Sequence, residues 1–191
     1  MEVTRTFDLL ARYQAHFAGK WDALAGIKNG KWVHYSTQEY IRNVNLLSCG
    51  FLALGIEPGD KVATITNNRP EWNFIDFALA QIGAVHVPIY PTISQAEYEY
   101  ILNHAEVRLM VLSGKSLYNK VAPLKPNVPS LEDIYTMDPV DGVKNLQAIF
   151  ELGQENGQEY TKQVETLKAA IRPDDCVTMI YTSGTTGKPK G

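Results

Sequence analysis

Residues 62–89, VATITNNRPEWNFIDFALAQIGAVHVPI, predict a buried strand, a helix and a second buried strand. Pro70 suits the first turn of the helix, which we expect to end at Gly83. Pro88 donates no backbone hydrogen bond, so we expect it at the end of its strand or on an edge of the sheet. Strands that are apolar on both faces and joined by a helix predict parallel pairing in an α/β fold.

The residues before this stretch predict a helix, a hairpin and a longer helix. The hairpin turn is expected at Asn29-Gly30, because this pair accommodates the positive φ angles of a tight turn. Ser36 and Glu39 have the spacing of a capping box, which predicts the start of the long helix. Residues 1–60 are therefore predicted to form an N-terminal part made of a helix, a β-hairpin and the first long helix.

The residues after this stretch continue the alternation of helices and strands. Ser94 and Glu97 form a second capping-box pattern and predict a further helix. Later strands are expected at 109–112, 134–137 and 176–181, and later helices at 145–152 and 160–171. The predicted fold class is α/β, with a mostly parallel sheet and helices on both faces, and residues 61–171 are predicted to be its βαβαβ unit.

The composition is that of an ordinary globular chain with a formal net charge of −3. This charge argues against bulk nucleic-acid binding, which needs a basic surface. Cys49 and Cys176 form no CxxC pair, and we expect both to be buried as apolar residues in a reducing compartment. No stretch has the length of a membrane span and no signal-peptide pattern opens the chain, so we expect a cytoplasmic protein.

The residue types that carry chemistry are concentrated in residues 181–191, YTSGTTGKPKG. Gly184 and Gly187 let backbone N–H groups converge on an anion, since no Cβ stands in the way. Hydroxyl and ammonium groups surround them, from Thr182, Ser183, Thr185, Thr186, Lys188 and Lys190. This composition favours a phosphate-binding loop, although flexible solvated tails have it too. We therefore predict that residues 172–191 form a strand and a phosphate-binding loop.

Two other phosphate-binding motifs fit this segment poorly. A Walker A loop needs a longer spacing between its glycines than Gly184 and Gly187 show, and a Ser or Thr after its lysine, where Pro189 follows Lys188. A GxGxxG dinucleotide fingerprint follows none of the predicted strands.

Residues 181–191 resemble the phosphate-loop signature of the adenylate-forming (AMP-binding) superfamily, which includes acyl-CoA synthetases, peptide-synthetase adenylation domains and luciferases. Residues 32–40, WVHYSTQEY, resemble the entry to the first long helix of that family. Residues 67–72, NNRPEW, resemble the strand-to-helix passage that follows. Residues 89–92, IYPT, are more similar to long-chain fatty acyl-CoA synthetases than to peptide-synthetase domains.

The resemblance implies an enzyme that joins a carboxylate to AMP from ATP and then transfers the acyl group to coenzyme A. It implies that Thr182 to Gly187, with Lys188 or Lys190, hold the β- and γ-phosphates, and that Thr185 shares Mg²⁺ with a glutamate. That glutamate and the catalytic lysine of the family belong to later motifs that the 191 residues lack. We therefore expect the N-terminal portion of a long-chain fatty acid–CoA ligase, without catalytic residues and inactive alone.

Other residues and alternatives are weaker expectations. Tyr90 and Arg69 lie where predicted strands end or helices begin, so they are candidates for substrate contact or for plain loop packing. His86 is expected to be a hydrogen-bonded core histidine. A non-catalytic interaction module and a peptide-synthetase-like or luciferase-like enzyme stay open as alternatives. Expected partners are ATP, a fatty acid and CoA, through the full-length enzyme. We also expect self-association through the apolar face that truncation leaves bare, and a peripheral membrane location for the full-length protein.

Overall fold

The structure is a computed structural model, which describes residues 2–28, 30–182 and 189–191. The elements follow one another in the order α1 (Asp8–Phe17), β1 (Leu24–Lys28), β2 (Lys31–Tyr35), α2 (Thr37–Ala53), β3 (Lys61–Ile65), α3 (Pro70–Ile82), β4 (Val85–Ile89), α4 (Gln95–His104), β5 (Val107–Leu112), α5 (Lys115–Val121), a 3-10 helix (Ala122–Asn127), β6 (Asp133–Thr136), α6 (Leu146–Glu155) and α7 (Gly157–Ala170).

These elements group into two compact units whose sequences interleave. The first unit comprises residues 1–57, 68–83 and 149–175, and the second comprises residues 58–67, 84–148 and 176–191. The division near residues 60 and 171 that the sequence suggests stays a prediction.

Both predicted capping boxes are confirmed. At the start of α2, the backbone N–H of Ser36 donates to the Glu39 carboxylate at 2.8 Å, and the Ser36 hydroxyl accepts from the Glu39 N–H at 3.2 Å. At the start of α4, Ser94 and Glu97 repeat the arrangement at 2.8 and 3.3 Å. The sequence thus locates these two helix starts because the hydrogen bonds that fix them are local.

The first unit contains the antiparallel hairpin β1–β2, the helices α1, α2, α3 and α7, and most of α6. The buried Ser48 hydroxyl on α2 donates to the Ala78 carbonyl on α3 at 3.1 Å. Gly50 on α2 and Gly153 on α6 lie against backbone of the opposite helix, where a Cβ would collide with the carbonyls of Ile149 and Leu46. Glycine at these two positions therefore permits a closer helix approach than any other residue would allow.

The second unit contains a four-stranded parallel sheet in the order β4-β3-β5-β6. Its core joins the strands to α4, around the fully buried Tyr98. The parallel α/β fold, the N-terminal helix and the hairpin predicted from the sequence are confirmed. Pro88 lies in the edge strand β4, as expected of a residue without a backbone N–H.

The predicted strand at 176–181 is wrong, because this segment forms an isolated parallel bridge between Thr178 and His86. The N–H of His86 donates to the Val177 carbonyl at 3.0 Å, and the N–H of Met179 donates to the His86 carbonyl at 2.9 Å. In a parallel ladder the next hydrogen bond would run from the N–H of residue 88 to the Met179 carbonyl. Proline has none, so the ladder ends after one bridge.

Two further expectations concern buried polar and thiol groups. His86 is fully buried, and its Nε2 lies 2.8 Å from the Thr64 hydroxyl, which confirms a hydrogen-bonded core histidine. Cys49 is buried as expected, whereas the expectation for Cys176 is wrong, since it is exposed in the segment that forms no strand. In the part of the chain that the structure describes, no helix has the length and apolar character needed to cross a membrane.

Candidate phosphate-binding site

The two ends of the predicted phosphate-binding loop are joined to each other. The N–H of Thr182 donates to the Lys190 carbonyl at 3.0 Å, and the N–H of Lys190 donates to the Thr182 carbonyl at 3.1 Å. This antiparallel bridge brings together the first and last of the predicted phosphate ligands. The other six lie outside the described residues and stay predictions: Ser183, Gly184, Thr185, Thr186, Gly187 and Lys188.

Tyr181 anchors the start of this loop. Its side chain is 6% exposed, and its hydroxyl lies 2.6 Å from Nδ1 of His104, the last residue of α4. The same hydroxyl lies 3.3 Å from Sδ of Met179 and can donate to it. A hydroxyl has one proton, so when it donates to Met179 the bond with His104 is donated by Nδ1–H. Burial raises the pKa of Tyr181, which keeps the hydroxyl protonated at neutral pH.

The ring of Tyr181 also supports the far end of the loop. Gly191 lies so close to this ring that an added Cβ would be 2.8 Å from Cζ. One buried aromatic side chain therefore contacts α4 through its hydroxyl and Gly191 through its ring, while its own backbone leads directly into Thr182. This arrangement holds together the two described ends of the segment, at Thr182 and Gly191.

A cavity of about 300 Å³ lies beside the ends of the loop. Its walls are formed by Pro88, Ile89, Tyr90, Ile93, Glu97, Ile101, Tyr181, Thr182 and Pro189. The isoleucines make much of the wall apolar, whereas Glu97 and Thr182 contribute polar groups. The cavity is therefore shaped for a group with both apolar and hydrogen-bonding parts.

The two candidate substrate residues have different settings. Tyr90 follows β4 with its side chain 67% exposed, and its carbonyl accepts a hydrogen bond from the Tyr98 hydroxyl at 3.1 Å. Burial raises the pKa of Tyr98 to about 12, so this donor stays protonated. Arg69 lies in the first unit at the start of α3, where its guanidinium pairs with Glu71 at 2.9 Å. Tyr90 and Thr182 therefore line the same cavity, whereas the Arg69 guanidinium forms an ion pair with Glu71.

Two polar contacts in the second unit were not predicted from the sequence. His104 reaches a tyrosine 77 positions later, and no local pattern signals a contact of that separation. Ser113, after β5, donates its N–H to the Ile65 carbonyl at 3.1 Å and accepts from the Asn67 N–H at 3.0 Å. Its position directly after a buried strand was the available signal, since ligand-binding residues cluster at the carboxyl ends of parallel strands.

Metal ligands of the usual protein type are not gathered in the described residues. Across residues 2–28, 30–182 and 189–191, no three or more His, Cys, Asp or Glu side chains are arranged to hold a metal ion. Magnesium in phosphate sites is bound largely by phosphate oxygens and water, with few protein ligands. A single hydroxyl such as that of Thr185 is compatible with this chemistry, and its role stays a prediction.

A family model described as AMP-binding enzyme matches residues 12–191, which is nearly the whole chain. The chain belongs to the AMP-binding enzyme family. The match includes the Tyr181–Gly191 segment, whose described ends are joined by the bridge between Thr182 and Lys190.

The curated relatives of this AMP-binding chain include long-chain fatty acid–CoA ligases. FadD15 of Mycobacterium tuberculosis is 33% identical over 164 residues, covering 85% of this chain and 26% of FadD15. ACSBG1 of Bos taurus is 30% identical over 178 residues, covering 91% of this chain and 24% of ACSBG1. The chain therefore spans about a quarter of the length of these relatives.

Solved structures show the same fold. The anthranilate CoA ligase AuaEII in complex with anthranoyl-AMP superposes with a TM-score of 0.73 at 20% identity, covering 97% of this chain and 33% of that one. VinN in complex with L-aspartate superposes with a TM-score of 0.66 at 19% identity, covering 96% and 45%. At these identities the similarity shows the fold alone.

Proposed function

We propose that these residues form the phosphate-binding part of an ATP-dependent long-chain fatty acid–CoA ligase, which makes an acyl-adenylate and then the CoA thioester. The observation that carries the proposal is the Thr182–Lys190 bridge, because it closes a Gly-, Ser- and Thr-rich segment into a loop beside a cavity. The two long-chain ligases that are similar over most of the chain favour a fatty acid as the carboxylate.

The chemistry of this loop would be electrostatic. A carboxylate approaches a polyanionic triphosphate, and negative charge builds on the departing pyrophosphate. Backbone N–H groups and hydroxyls between Thr182 and Gly187, together with Lys188 or Lys190, would hold the β- and γ-phosphates. Mg²⁺, when bound, neutralises phosphate charge, and Thr185 is the residue of this chain that would contact it.

The substrate contacts are proposed at Tyr90 and Arg69. Tyr90 is supported by its place on the wall of the cavity that Thr182 also lines. Its carbonyl is fixed by Tyr98, which leaves the exposed phenol free to adapt to a ligand. Arg69 is supported by its position before α3, although a substrate carboxylate would have to compete with Glu71.

A binding measurement tests the phosphate site directly. Pyrophosphate and ATP are titrated into the 191-residue chain by calorimetry, at low and high salt. We expect weak, salt-sensitive binding that Lys190→Ala lowers about threefold or more, since a charge-assisted hydrogen bond contributes about 1.5–3 kcal/mol when desolvated and less in an open loop. Lys162→Ala, an exposed charge on α7 in the first unit, is the matched control and leaves binding unchanged. The absence of any binding contradicts the proposal.

We propose that the 191 residues alone do not catalyse fatty-acid-dependent exchange of pyrophosphate into ATP. The support is that they match about a quarter of the length of the related ligases. Measurable exchange by the purified chain contradicts this. The complementary experiment replaces the segment of FadD15 that matches this chain with the corresponding segment of this chain and measures palmitate-dependent AMP release. Thr185→Ala in this chimaera is expected to reduce the rate and raise the magnesium requirement.

The cellular setting follows from the same proposal. A ligase that takes long-chain fatty acids works where those acids are, so we propose a cytoplasmic protein that contacts membranes peripherally in its longer form. We also propose that the 191 residues by themselves self-associate through the apolar face that would pack on the remainder of a longer ligase, which analytical ultracentrifugation over a range of concentrations tests.

A further inference from the structure

The segment Tyr90–Ser94, which links β4 to α4, forms part of the wall of the cavity beside the loop. Tyr90 and Ile93 line that cavity together with Thr182. Pro91, within the segment, has no backbone N–H to donate. Side chains that donate to the carbonyls of this segment can therefore determine where its cavity-lining residues lie.

Two side chains hold the segment, one near each end. The hydroxyl of the fully buried Tyr98 donates to the Tyr90 carbonyl at 3.1 Å. The ammonium of Lys120, on α5, donates to the Ile93 carbonyl at 2.6 Å. The same ammonium lies 5.0 Å from the centroid of the Tyr98 ring, so the two donors also attract each other through a cation–π contact.

Lys120 is itself held by the helix that follows the segment. The side-chain amide of Gln95, the first residue of α4, donates to the Lys120 carbonyl at 2.7 Å. Val121, the next residue of α5, is fully buried in the core that also contains Tyr98. These contacts fix the backbone of Lys120, so its long side chain starts from a defined position beside the segment.

The surroundings of the Lys120 ammonium favour a positive charge. The pKa of the Glu97 carboxyl, which lines the cavity, is lowered mainly by the hydrogen bonds from Ser94, and the charge of Lys120 contributes. A charged donor also makes a stronger hydrogen bond to a carbonyl than a neutral donor does. The Ile93 carbonyl, the Tyr98 ring and the Glu97 carboxylate therefore all attract a cation at this position.

A second lysine of the same unit makes the same kind of hydrogen bond elsewhere. Lys125, in the 3-10 helix, is half-buried like Lys120, and its ammonium donates to the Glu132 carbonyl at 2.5 Å. The cavity wall, as far as the described residues form it, does not include Glu132. The two lysines thus differ in whether the carbonyl that they hold belongs to the wall of the cavity.

We propose that Lys120 is a positioning residue of the proposed ligase: together with Tyr98 it holds the segment Tyr90–Ser94, so that Tyr90 and Ile93 keep their places on the cavity wall. Lys120 acts through the segment and not by touching a substrate. This inference deepens the proposed function and rests on it, because Lys120 supports the substrate contact proposed at Tyr90. Its hydrogen bond to Ile93 needs no substrate, so it can be tested separately.

The first measurement follows the isoleucine δ1-methyl groups of the 191-residue chain by NMR. Lys120→Met keeps a long unbranched side chain and removes the ammonium, so we expect the Ile93 signal to shift by more than its line width. Lys120→Arg retains a cationic donor and should bring the signal part of the way back. Lys125→Met is the matched control and should leave the Ile93 signal in place. Pyrophosphate affinity should stay within about twofold in all three variants, since the Thr182–Lys190 bridge is untouched.

The second measurement is the steady-state kinetics of the FadD15 chimaera, with palmitate, CoA and ATP varied in turn. Loss of a group that supports substrate binding raises the KM for that substrate and leaves kcat unchanged. We expect Lys120→Met to raise the KM for palmitate or for CoA about threefold or more, with kcat and the KM for ATP within about twofold. Lys120→Arg should restore much of the loss, and Lys125→Met should match the unsubstituted chimaera.

Two results overturn the role of Lys120. An Ile93 signal that Lys120→Met leaves in place shows that the ammonium does not hold the segment. A chimaera in which Lys120→Met changes none of the three KM values, or changes all of them together with kcat, shows that Lys120 supports no particular substrate contact.

Failure of the proposed function has a different signature. The chimaera without substitutions is then inactive, and the Ile93 signal of the 191-residue chain decides whether Lys120 holds the segment. Circular dichroism verifies that the variants fold. Lys120→Gln, which keeps a neutral donor on an uncharged side chain, replaces Lys120→Met if that variant unfolds.

Discussion

The segment from Val177 to Thr182 is attached to the second unit in two different ways. Its first half is held by backbone hydrogen bonds on either side of His86, at 3.0 and 2.9 Å. Its second half is held by the side chain of Tyr181, which contacts His104, Met179 and Gly191. Pro88 marks the change from one to the other, since it lacks the N–H that would continue the ladder.

The two kinds of attachment predict which substitutions the phosphate-binding loop should tolerate. A backbone attachment depends little on the identity of the side chains that it joins, because every residue but proline offers the same donor and acceptor. A side-chain attachment is lost with one substitution. We therefore expect the position of Thr182 to depend on Tyr181 much more than on any residue between Val177 and Met179.

The largest effect is expected from Tyr181→Ala. Removing a buried aromatic side chain costs about 3–5 kcal/mol, and here it also releases both ends of the loop. Urea unfolding should show this loss of stability, and calorimetry should show loss of pyrophosphate binding in conditions where the variant is still folded. A variant that loses stability but binds pyrophosphate as the wild type does would show that Tyr181 has no part in placing the loop.

Tyr181→Phe and His104→Ala are the matched controls for that prediction. Tyr181→Phe keeps the ring and loses its hydrogen bonds, which costs about 0.5–1.5 kcal/mol. His104→Ala removes the same hydrogen bond from the other side, so the double variant should cost less than the sum of the two. Strict additivity would contradict the direct contact between Tyr181 and His104.

A smaller effect is expected on the backbone side of the comparison, from Thr64→Val. The fully buried His86 loses its hydrogen bond to the Thr64 hydroxyl, which costs about 1–3 kcal/mol. Pyrophosphate affinity should stay within about twofold, because the bonds of this region to Val177 and Met179 come from the backbone. Thr178→Val, which removes a 3.0 Å side-chain bond to the His86 carbonyl in a less buried place, should cost less. A large loss of affinity in Thr64→Val would place the core histidine in the binding site.

The contrast between the two attachments also shows how far sequence reasoning reaches. The helix starts at Ser36 and Ser94 could be predicted because their hydrogen bonds span three positions. The strands of the sheet could be predicted because they are apolar on both faces. The contact between His104 and Tyr181 could not, because it depends on how the end of α4 and the segment after Cys176 meet in the folded unit.

The incorrect strand at 176–181 has a related cause. Its apolar residues fit the pattern of a strand, and its own sequence gives no reason for it to stop pairing. The reason lies in Pro88 of the neighbouring strand, which has no N–H to donate. This reason becomes visible only when the structure shows that His86 and Thr178 are partners. The number of paired residues depends on both strands, so the apolar pattern of one strand can predict more pairing than the partner strand allows.

Pro88→Ala tests whether proline ends the pairing, and we expect the free energy of unfolding to change by close to zero. The new N–H faces the Met179 carbonyl and should add a hydrogen bond of about 0.5–1.5 kcal/mol. Loss of the proline gives the unfolded chain about 0.4–1 kcal/mol more conformational entropy, which offsets the gain. Amide hydrogen exchange should show protection at residue 88 comparable with that of the Met179 N–H. An unprotected amide there would mean that something other than proline ends the ladder.

The smallest effect is expected from Glu97→Gln, at the opposite end of α4 from His104. The hydrogen bonds from the Ser94 hydroxyl and backbone N–H lower the pKa of the Glu97 carboxyl, so folding favours its ionised form. Its contribution to stability is therefore present above the usual glutamate value of 4.5 and is lost as the pH falls through the lowered pKa of the folded state.

Glutamine can still form a capping box, so the variant removes the charge alone. The melting temperature of the wild type should exceed that of Glu97→Gln at neutral pH, and the two should converge in acid. Glu39→Gln in the first unit, whose carboxyl pKa is lowered in the same way, should behave alike. A gap that persists unchanged into acid would mean that the cap depends on the shape of the side chain and not on its charge.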